Sequence, residues 1–313
     1  MRTQTLGNTG LVVPPLAFGG NVFGWTLDKQ ASFTILDALL ERGLNFIDTA
    51  NVYSYWVPGN DGTESEQIIG EWIKARGVRN QLVIATKCGH AKTEHPGLSA
   101  AAIERSVEAS LKRLNLECID LYQSHFDDPE TALEETMQAF DRLVQAGKVR
   151  AIGASNYTAE RLTEALRISK ELGIAAYQTL QPEYNLVERE HYETTLAPLV
   201  QQEGLAVICY YALASGFLSG KYRSQADVDK HPRGGAAGKY LNERGLRVLK
   251  ALDDTAEETG ASPASIALAW LMTRPHVSPI ASATTVEQVQ ALADAAALEL
   301  SEAALGRLTE ASA

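Results

Sequence analysis

Short apolar segments recur along the chain, separated by longer segments in which apolar residues return every three or four positions. The short segments are nearly continuous in apolar residues, which is typical of parallel strands covered on both faces. The longer ones, such as 101–114 and 133–145, have the period of amphipathic helices. We therefore predict eight strands, at residues 15–20, 44–50, 81–87, 118–125, 149–155, 175–181, 205–211 and 277–282.

Eight strands that alternate with helices predict an α/β fold, namely a (β/α)8 TIM barrel with extra helices near the C-terminus. A doubly wound sheet is disfavoured because no GxGxxG motif follows any strand. No Pro- or Ser-rich linker divides the chain, so we expect one domain over residues 1–313. Residues 3–6 and 11–13 predict an N-terminal β-hairpin across the bottom of the barrel. Thr63 and Glu66, three positions apart, predict a capping box at a helix start.

Composition and charge narrow the class of protein. The formal net charge of −11 repels nucleic acid and anionic membranes, so we exclude both as main partners. The three cysteines (Cys88, Cys118 and Cys209) have no CxxC spacing, which favours a reducing compartment. The chain start has no apolar signal-peptide core, so we expect a cytoplasmic protein. The six histidines lack HxH or HxxxH spacing, and we predict no metal site.

Polar residues follow several predicted strands, at the barrel end where active sites lie. They include Asp48, Lys87 and His125, with Tyr53 in the loop after the second strand. A phenol with a pKa of about 10 is a weak acid, and we expect a nearby lysine ammonium to lower that pKa. An aspartate would keep the lysine charged, and a histidine could position a carbonyl oxygen. This set suits proton delivery to an oxygen that becomes an alkoxide.

Such a reaction also needs a hydride donor. No side chain supplies a hydride, so a nicotinamide coenzyme is implied. Each polar residue taken alone also fits an ordinary structural role: a helix-capping aspartate, a solvated lysine or a histidine satisfied within the fold. Tyr55, two positions after Tyr53, is a second phenol in the same loop.

Several ordered segments of the chain resemble the aldo-keto reductase family, over nearly its whole length. They are residues 43–50 with Tyr53, residues 110–114 and 119–122 with His125, and residues 147–156, 181–189 and 210–221. The resemblance implies an NAD(P)H-dependent oxidoreductase that interconverts a carbonyl group and an alcohol. It assigns Tyr53 as general acid, with Lys87 and Asp48 behind it and His125 beside the carbonyl oxygen.

The resemblance also implies a coenzyme site. Ser155, Asn156 and Gln178 match residues that hold the nicotinamide carboxamide, and Tyr210 matches the aromatic residue that stacks on the ring. The backbone of residues 213–218 matches the pyrophosphate cradle. The full expected coenzyme set is Gly20, Asn21, Asp48, Ser155, Asn156, Gln178, Tyr210, Leu213, Ser215, Gly216, Leu218, Lys221, Ser282, Thr284 and Gln288. Three further matching positions are expected to be structural charges at the surface or in loops: Glu66, Asp120 and Arg150.

Residues 282–292 depart from the family pattern because they contain no Lys or Arg. Ser282 and Thr284 could hydrogen-bond a 2′-phosphate, but without a cation each bond is weaker. The family habit predicts NADP, and NAD stays open. With NAD, oxidation of a sugar or polyol becomes plausible.

Residues 221–247 are Gly-rich and basic. Seven cations face only Asp227, Asp229 and Glu243 within the segment. We predict a loop that closes over the anionic coenzyme, the alternative being a solvated flexible loop. The cations are Lys221, Arg223, Lys230, Arg233, Lys239, Arg244 and Arg247.

The loops after the first, second and fourth strands are expected to line the pocket for a small carbonyl or alcohol substrate. Their apolar residues are Val22, Phe23, Trp25, Trp56 and Phe126. Trp56 lies in a loop that is longer than usual for the family, and a surface aromatic packed under that loop is the alternative. Such a wall suits aldehydes, ketones or stacked sugars. Two other classes stay open: a coenzyme-binding regulatory subunit like the potassium-channel β-subunits, and a coenzyme-free lyase or isomerase.

Overall fold

The computed structural model describes residues 1–230 and 234–313. Within them, eight parallel strands close into a barrel, and a two-stranded antiparallel hairpin precedes it. The hairpin strands are β1 (Gln4–Thr5) and β2 (Val12–Val13), and the barrel strands are β3 (Ala17–Gly19), β4 (Phe46–Asp48), β5 (Val83–Cys88), β6 (Ile119–Ser124), β7 (Val149–Ser155), β8 (Thr179–Gln181), β9 (Ala206–Cys209) and β10 (Val277–Ala281). Each barrel strand overlaps its predicted range, so the predicted barrel is confirmed.

Helices connect the strands. The helices of the described residues are α1 (Lys29–Glu41), α2 (Glu64–Arg76), α3 (Ala100–Leu114), α4 (Leu133–Gln145), α5 (Ala159–Leu172), α6 (Ala197–Glu203), α7 (Gln225–Val228), α8 (Gly234–Gly238), α9 (Glu243–Thr259), α10 (Pro263–Met272), α11 (Val286–Ala297) and α12 (Glu302–Ala311). The expected extra helices lie between β9 and β10 and at the chain end. In the part of the chain that is described, no helix combines the length and the apolar composition that crossing a bilayer requires.

The barrel strands pair in chain order from β3 to β10, and β10 pairs with β3 to close the ring. Because side chains alternate along a strand, every second residue points into the barrel. The interior forms a small apolar cluster, separate from the larger core between barrel and helices. Cys88 packs in the outer core, as the alternation from Lys87 predicts.

The hairpin closes the bottom of the barrel. Leu6, Leu11 and Val13 are buried in the same cluster as Phe46 and Val83, the first residues of β4 and β5. The expected position of the hairpin is therefore confirmed. With the bottom filled by apolar side chains, the opposite rim is the open end of the barrel.

The predicted capping box at Thr63 and Glu66 is wrong. The Thr63 hydroxyl donates to the Asp61 carboxylate and caps no backbone group of α2. Glu66 is fully buried, accepts a hydrogen bond from Thr86 at 2.6 Å and pairs with Arg113 at 2.7 Å. Helix α2 turns this carboxylate toward the barrel wall, where it joins α2 to β5 and α3.

Asp120 is likewise buried instead of lying at the surface. On β6 it accepts a hydrogen bond from the Ile84 backbone at 2.9 Å and pairs with Arg79 and Arg150, each at 2.9 Å. The expected structural role of Asp120 and Arg150 fits these contacts. The carboxylate joins the edges of three neighbouring strands and their connecting turns.

The hairpin plug generates a stability prediction. Leu11→Ala removes a side chain that is 1% exposed inside the barrel, and we expect it to lower the free energy of unfolding by about 2–5 kcal/mol. Val12→Ala is the matched control, because Val12 is the next residue along the chain and is 58% exposed. We expect the control to change that free energy by less than about 0.5 kcal/mol. Urea unfolding of both variants measures the difference, and equal losses would contradict the plug.

Candidate active site

Three of the predicted polar residues lie at the carboxyl ends of neighbouring strands. Asp48 is the last residue of β4, Lys87 is next to last in β5, and His125 directly follows β6. Because β4, β5 and β6 are adjacent and parallel, these ends meet at one part of the open rim. The loop after β4 brings Tyr53 over the same place.

Lys87 is the centre of this cluster. Its side chain is fully buried, and its ammonium donates to Asp48 Oδ2 at 2.6 Å, to the Thr49 carbonyl at 2.8 Å and to the Tyr53 hydroxyl at 2.8 Å. An ammonium has three N–H groups, so all of them are satisfied. Burial lowers the pKa of Lys87, and the ion pair with Asp48 opposes that shift.

The Tyr53 hydroxyl accepts the lysine hydrogen bond, so its own proton goes to Asp48 Oδ2 at 3.2 Å. Burial among these groups raises the pKa of Tyr53 well above its ordinary value of 10, and the negative charge of Asp48 raises it further. The net shift is therefore opposite to the lowering that we expected from the lysine alone, because burial and Asp48 dominate. Tyr53 carries its proton at neutral pH, and the ammonium lies ready to stabilise the oxygen if that proton leaves.

Two glutamines hold the other oxygen of Asp48. Gln181 donates to Oδ1 at 2.9 Å and Gln123 at 3.3 Å. Neither was predicted from the sequence. The alternation of side chains along a strand could have identified Gln123, because Gln123 lies in register with Lys87 on the neighbouring strand. With these bonds both carboxylate oxygens of the buried Asp48 have partners.

The prediction for Gln178 was wrong. Gln178 precedes β8, at the amino end of the strand, and its side chain donates to the Asn8 carbonyl in the hairpin at 3.4 Å. It therefore lies at the closed bottom of the barrel. Gln181 is the last residue of β8 and lies at the open rim, in register with Ser155. The carboxyl-terminal residue of the predicted strand 175–181 was already the better candidate, because only that end faces the site.

His125 packs against Tyr53 edge to face, with ring centroids 6.2 Å apart. Its backbone N–H donates to the Cys88 carbonyl at 2.8 Å, which fixes it to the end of β5. Its Nδ1 is buried and has no hydrogen-bond partner among the described residues. Burial lowers the pKa of His125 well below 6.5, and the charge of Lys87 lowers it further. The ring is therefore a neutral imidazole with one N–H.

Ser155, Asn156 and Tyr210 are linked on the other side of the rim. Asn156 donates from its amide to the His125 carbonyl at 2.9 Å and to the Ser155 hydroxyl at 3.0 Å. The Tyr210 hydroxyl donates to Asn156 Oδ1 at 2.8 Å. The structure thus brings these three predicted residues together beside His125.

The backbone after β9 is strained. Tyr211, Ala214 and Ser215 have φ angles of 51°, 49° and 58°, and Gly216 follows with φ 93°. Left-handed residues other than glycine each cost free energy and cluster at functional sites. Lys221 folds back over this turn, because a Cβ built on Gly216 would lie 3.4 Å from its ammonium nitrogen. The predicted cradle segment is therefore an irregular turn with a cation beside it.

Beyond this turn, β10 and β3 are the next strands around the rim. The Ser282 hydroxyl donates to the Gly19 carbonyl at 2.9 Å and approaches Asn21 Oδ1 at 2.8 Å. A Cβ on Gly19 would come within 2.8 Å of that hydroxyl, so the close approach needs glycine. Gly20 is buried, and its carbonyl accepts from Ser65 at 2.8 Å.

Two neutral polar side chains, Thr284 and Gln288, follow β10. The Gln288 side-chain oxygen accepts from the Thr284 backbone at 2.7 Å and from its hydroxyl at 3.2 Å. Thr285 caps α11 directly afterwards. Gln288 and Thr284 are thus in contact with each other, and their binding of a coenzyme stays a prediction.

Several cations of the basic segment have ion-pair partners, which the sequence alone did not indicate. Arg223 forms a two-bond ion pair with Asp253 at 2.7 Å, Lys230 pairs with Asp227, and Lys239 pairs with Glu188 at 3.3 Å. Residues 225–228 and 234–238 are helical, so the predicted loop is partly ordered. Arg233 lies outside the described residues. Three of the seven cations thus form ion pairs among the described residues, two of them with carboxylates that are distant in sequence. The closing of this segment over a coenzyme stays a prediction.

Aromatic side chains surround the mouth of the site. Trp56 lies edge to face with Trp25 at 5.6 Å and 6.4 Å from Tyr53, and Phe126 stacks on His125 at 5.1 Å. Trp56 and Phe126 are 41% and 42% exposed. Trp56 is thus part of the wall beside Tyr53, and does not only pack under its own loop.

Val22 and Phe23 were wrongly assigned to the substrate wall. Both are buried in the outer core, and Phe23 stacks on Phe18 at 5.6 Å. Residues Gly20–Val22 form a single 3-10 turn that directs these side chains away from the rim. The position of Val22 and Phe23 in a predicted loop did not reveal in which direction their side chains point.

A sequence model described as the aldo/keto reductase family matches residues 15–313. The chain is 35% identical to an aryl-alcohol dehydrogenase (NADP(+)) of Phanerodontia chrysosporium, over 95% of this chain and 82% of that protein. It is 34% identical to the uncharacterized oxidoreductase YrpG of Bacillus subtilis (strain 168), over 99% and 95%. It is also 33% identical to a probable voltage-gated potassium channel subunit beta of Arabidopsis thaliana, over 93% and 89%.

The environment of His125 predicts its titration. Because burial lowers the pKa of His125 in the folded state, the ring stays neutral at pH 6.5, where an ordinary histidine is half protonated. Protons then bind the unfolded chain more readily, so this group destabilises the fold as the pH falls below 6.5. NMR of 15N-histidine-labelled protein measures the titration, with His125→Gln to assign the signal. A midpoint near 6.5 for His125 would contradict the burial argument.

Proposed function

Since the chain belongs to the aldo/keto reductase family, we propose that it is an NAD(P)H-dependent oxidoreductase that interconverts a carbonyl group and an alcohol. One observation carries the proposal. The Tyr53 hydroxyl lies 2.8 Å from the buried Lys87 ammonium and 3.2 Å from the Asp48 carboxylate. Proton transfer to a developing alkoxide needs this arrangement of a phenol backed by a positive charge.

The residues at the rim fit a nicotinamide dinucleotide. A carboxamide needs both hydrogen-bond donors and acceptors, and Ser155, Asn156 and Gln181 supply hydroxyl and amide groups beside the Tyr53 cluster. The ring of Tyr210 lies next to them. The irregular turn at residues 213–218, with Lys221 beside it, suits a pyrophosphate. When bound there, the nicotinamide supplies the hydride that no side chain can provide.

Tyr53 then acts as the proton donor to the substrate oxygen. Its proton must turn from Asp48 Oδ2 to the carbonyl oxygen, and the charge left on the phenol oxygen is stabilised by Lys87. Asp48, fixed by Gln123 and Gln181, keeps Lys87 charged despite its burial. The neutral His125 offers one N–H to the same carbonyl oxygen and so orients it. Oxidation of the alcohol uses these contacts in reverse.

We propose aromatic aldehydes and the corresponding alcohols as substrates. The mouth of the site presents Trp25, Tyr55, Trp56 and Phe126, and a flat ring gains contact area and stacking energy against such a wall. One relative is named an aryl-alcohol dehydrogenase, which agrees with this choice. Sugars, which also stack on aromatic walls, are the alternative in a substrate panel.

We propose NADP(H) as the coenzyme, with NAD(H) as the alternative. The name of the same relative includes NADP(+). The uncharged Thr284 and Gln288 would bind a 2′-phosphate only through neutral hydrogen bonds, which are weaker than charge-assisted ones. Fluorescence titration with NADPH and NADH distinguishes the two.

A second candidate is a coenzyme-binding regulatory subunit, because one relative is named a potassium channel subunit beta. The two functions differ in turnover. Steady consumption of reduced coenzyme with an aldehyde supports the enzyme, whereas coenzyme binding without turnover supports the subunit. Absence of any coenzyme binding would instead favour a coenzyme-free lyase or isomerase.

The proposed proton donor generates the first functional prediction. Tyr53→Phe keeps the ring but removes the acidic proton, so we expect unchanged coenzyme affinity and a kcat about 10²–10⁴-fold lower. Tyr55→Phe is the matched control, because Tyr55 lies in the same loop and contacts Trp56 and His90 but not Lys87. Steady-state kinetics with benzaldehyde measures both. Near-normal rates for Tyr53→Phe would overturn the assignment.

The corrected assignment of Gln181 generates the second functional prediction. Gln181→Ala removes an amide at the rim, and we expect the Kd for reduced coenzyme to rise about 3- to 10-fold, the value of one neutral hydrogen bond. Gln178→Ala changes the same residue type at the bottom of the barrel and should leave that Kd unchanged. Fluorescence titration compares them. A larger effect of Gln178→Ala would show that the strand end was misassigned.

A further inference from the structure

His90 lies in the loop after β5, in a cluster of rings at the mouth of the site. Its ring centroid is 5.3 Å from His125, 5.5 Å from Phe126 and 5.6 Å from Tyr55. His125 in turn packs on Tyr53. His90 is therefore one ring further from the proton-donating phenol than His125 is. No step of the proposed reaction uses it.

The protonation of His90 follows from a backbone contact. The Lys92 N–H donates to His90 Nδ1 at 3.0 Å, so Nδ1 is an acceptor and carries no proton. The proton of the neutral ring is then on Nε2. Burial lowers the pKa of His90, and the charge of Lys92 lowers it further, so the ring is neutral at pH 7. Across residues 1–230 and 234–313, no group accepts a hydrogen bond from Nε2.

The loop holds His90 in a fixed position. The Thr93 backbone and hydroxyl both donate to the His90 carbonyl, at 3.1 Å and 2.8 Å. Gly89 has φ 91° and pairs with Pro96, and a Cβ there would lie 2.6 Å from the side chain of Leu98. A donor held by such local contacts loses little freedom on binding a partner, which favours specific recognition.

We propose that His90 determines substrate specificity: its Nε2–H donates a hydrogen bond to an acceptor atom on the ring of an aromatic substrate whose carbonyl lies at Tyr53 and His125. This inference rests on the proposed function and names a narrower substrate class, aromatic carbonyls with an acceptor on the side of the ring away from the carbonyl. A benzaldehyde ring extends one ring beyond its carbonyl group, and His90 lies one ring beyond His125.

His90 differs from the side chains that flank it. Tyr55 and Phe126, which flank it, present ring faces and edges. A hydrogen-bond donor held among aromatic rings orients a ligand, because a bound ring that offers it no acceptor leaves that donor without a partner. Substrates with an acceptor at that edge are therefore favoured over all-carbon rings of the same shape.

The test compares rings of equal shape. The value of kcat/KM is measured for benzaldehyde, pyridine-3-carbaldehyde and pyridine-4-carbaldehyde, in the wild type and in His90→Phe, which keeps an aromatic ring but has no N–H. The ratio of pyridine to benzaldehyde values is taken for each protein, so that intrinsic reactivity cancels between proteins. We expect this ratio to fall about 3- to 10-fold in His90→Phe for at least one pyridine isomer, as the loss of one hydrogen bond predicts.

Two further variants separate the hydrogen bond from general disturbance. His95→Phe makes the same change in the same loop, at a histidine that faces Glu94 and contacts none of the rings at the mouth. It should keep the wild-type ratio. His90→Gln retains an amide N–H at about the reach of Nε2 and should restore part of the ratio, and it replaces His90→Phe if that variant does not fold.

The outcomes are distinguishable. If the wild type reduces none of the three aldehydes with either coenzyme, the proposed function fails and this inference with it. If the wild type reduces them but His90→Phe and His90→Gln keep its ratio, only this inference is overturned, and His90 Nε2–H is hydrated during turnover. A fall of equal size in His95→Phe also overturns it, because the effect then belongs to the loop.

Discussion

The buried ion pair of Lys87 and Asp48 is the interaction on which the rim of the barrel depends. Two charges without water are costly unless each has close partners, and removing one partner leaves the other uncompensated. Here the lysine has three acceptors, and the aspartate accepts from Lys87, Tyr53, Gln123 and Gln181. Four strands and a loop therefore converge on one carboxylate, and the position of the Tyr53 phenol follows from it.

The two ends of the barrel have different tasks. The bottom is filled by apolar side chains of the hairpin, which supply stability. The open rim carries strained backbone instead: of the seven non-glycine residues with positive φ in the described parts of the chain, five lie in loops that follow barrel strands at this rim, namely Ser54, Asn156, Tyr211, Ala214 and Ser215. Such conformations persist only where the surrounding structure enforces them. Stability from the rest of the barrel thus allows the rim to hold side chains in place for chemistry.

Family membership alone does not decide whether the rim of the barrel carries out catalysis. Relatives that match over nearly the same length carry the names of a dehydrogenase and of a channel subunit. What differs between members of one fold is the set of loops around the strand ends. In this chain the loops after β4, β5 and β6 bring Trp56, His90 and Phe126 to the mouth. The rim behind them presents a protonated phenol, a neutral imidazole and buried charges of both signs, and the mouth presents aromatic rings together with the His90 imidazole.

The sequence by itself determined the barrel, its eight strands, the hairpin and the candidates Asp48, Tyr53, Lys87 and His125, because apolar runs and residues at strand ends are local patterns. It did not determine where a strand begins, and so Gln178 was chosen in place of Gln181. It could not show that Glu66 is buried, that Val22 points into the core or that Arg223 already has Asp253 as a partner. Only the tertiary structure decided these points, together with the raised pKa of Tyr53, because burial and pairing depend on groups that are distant along the chain.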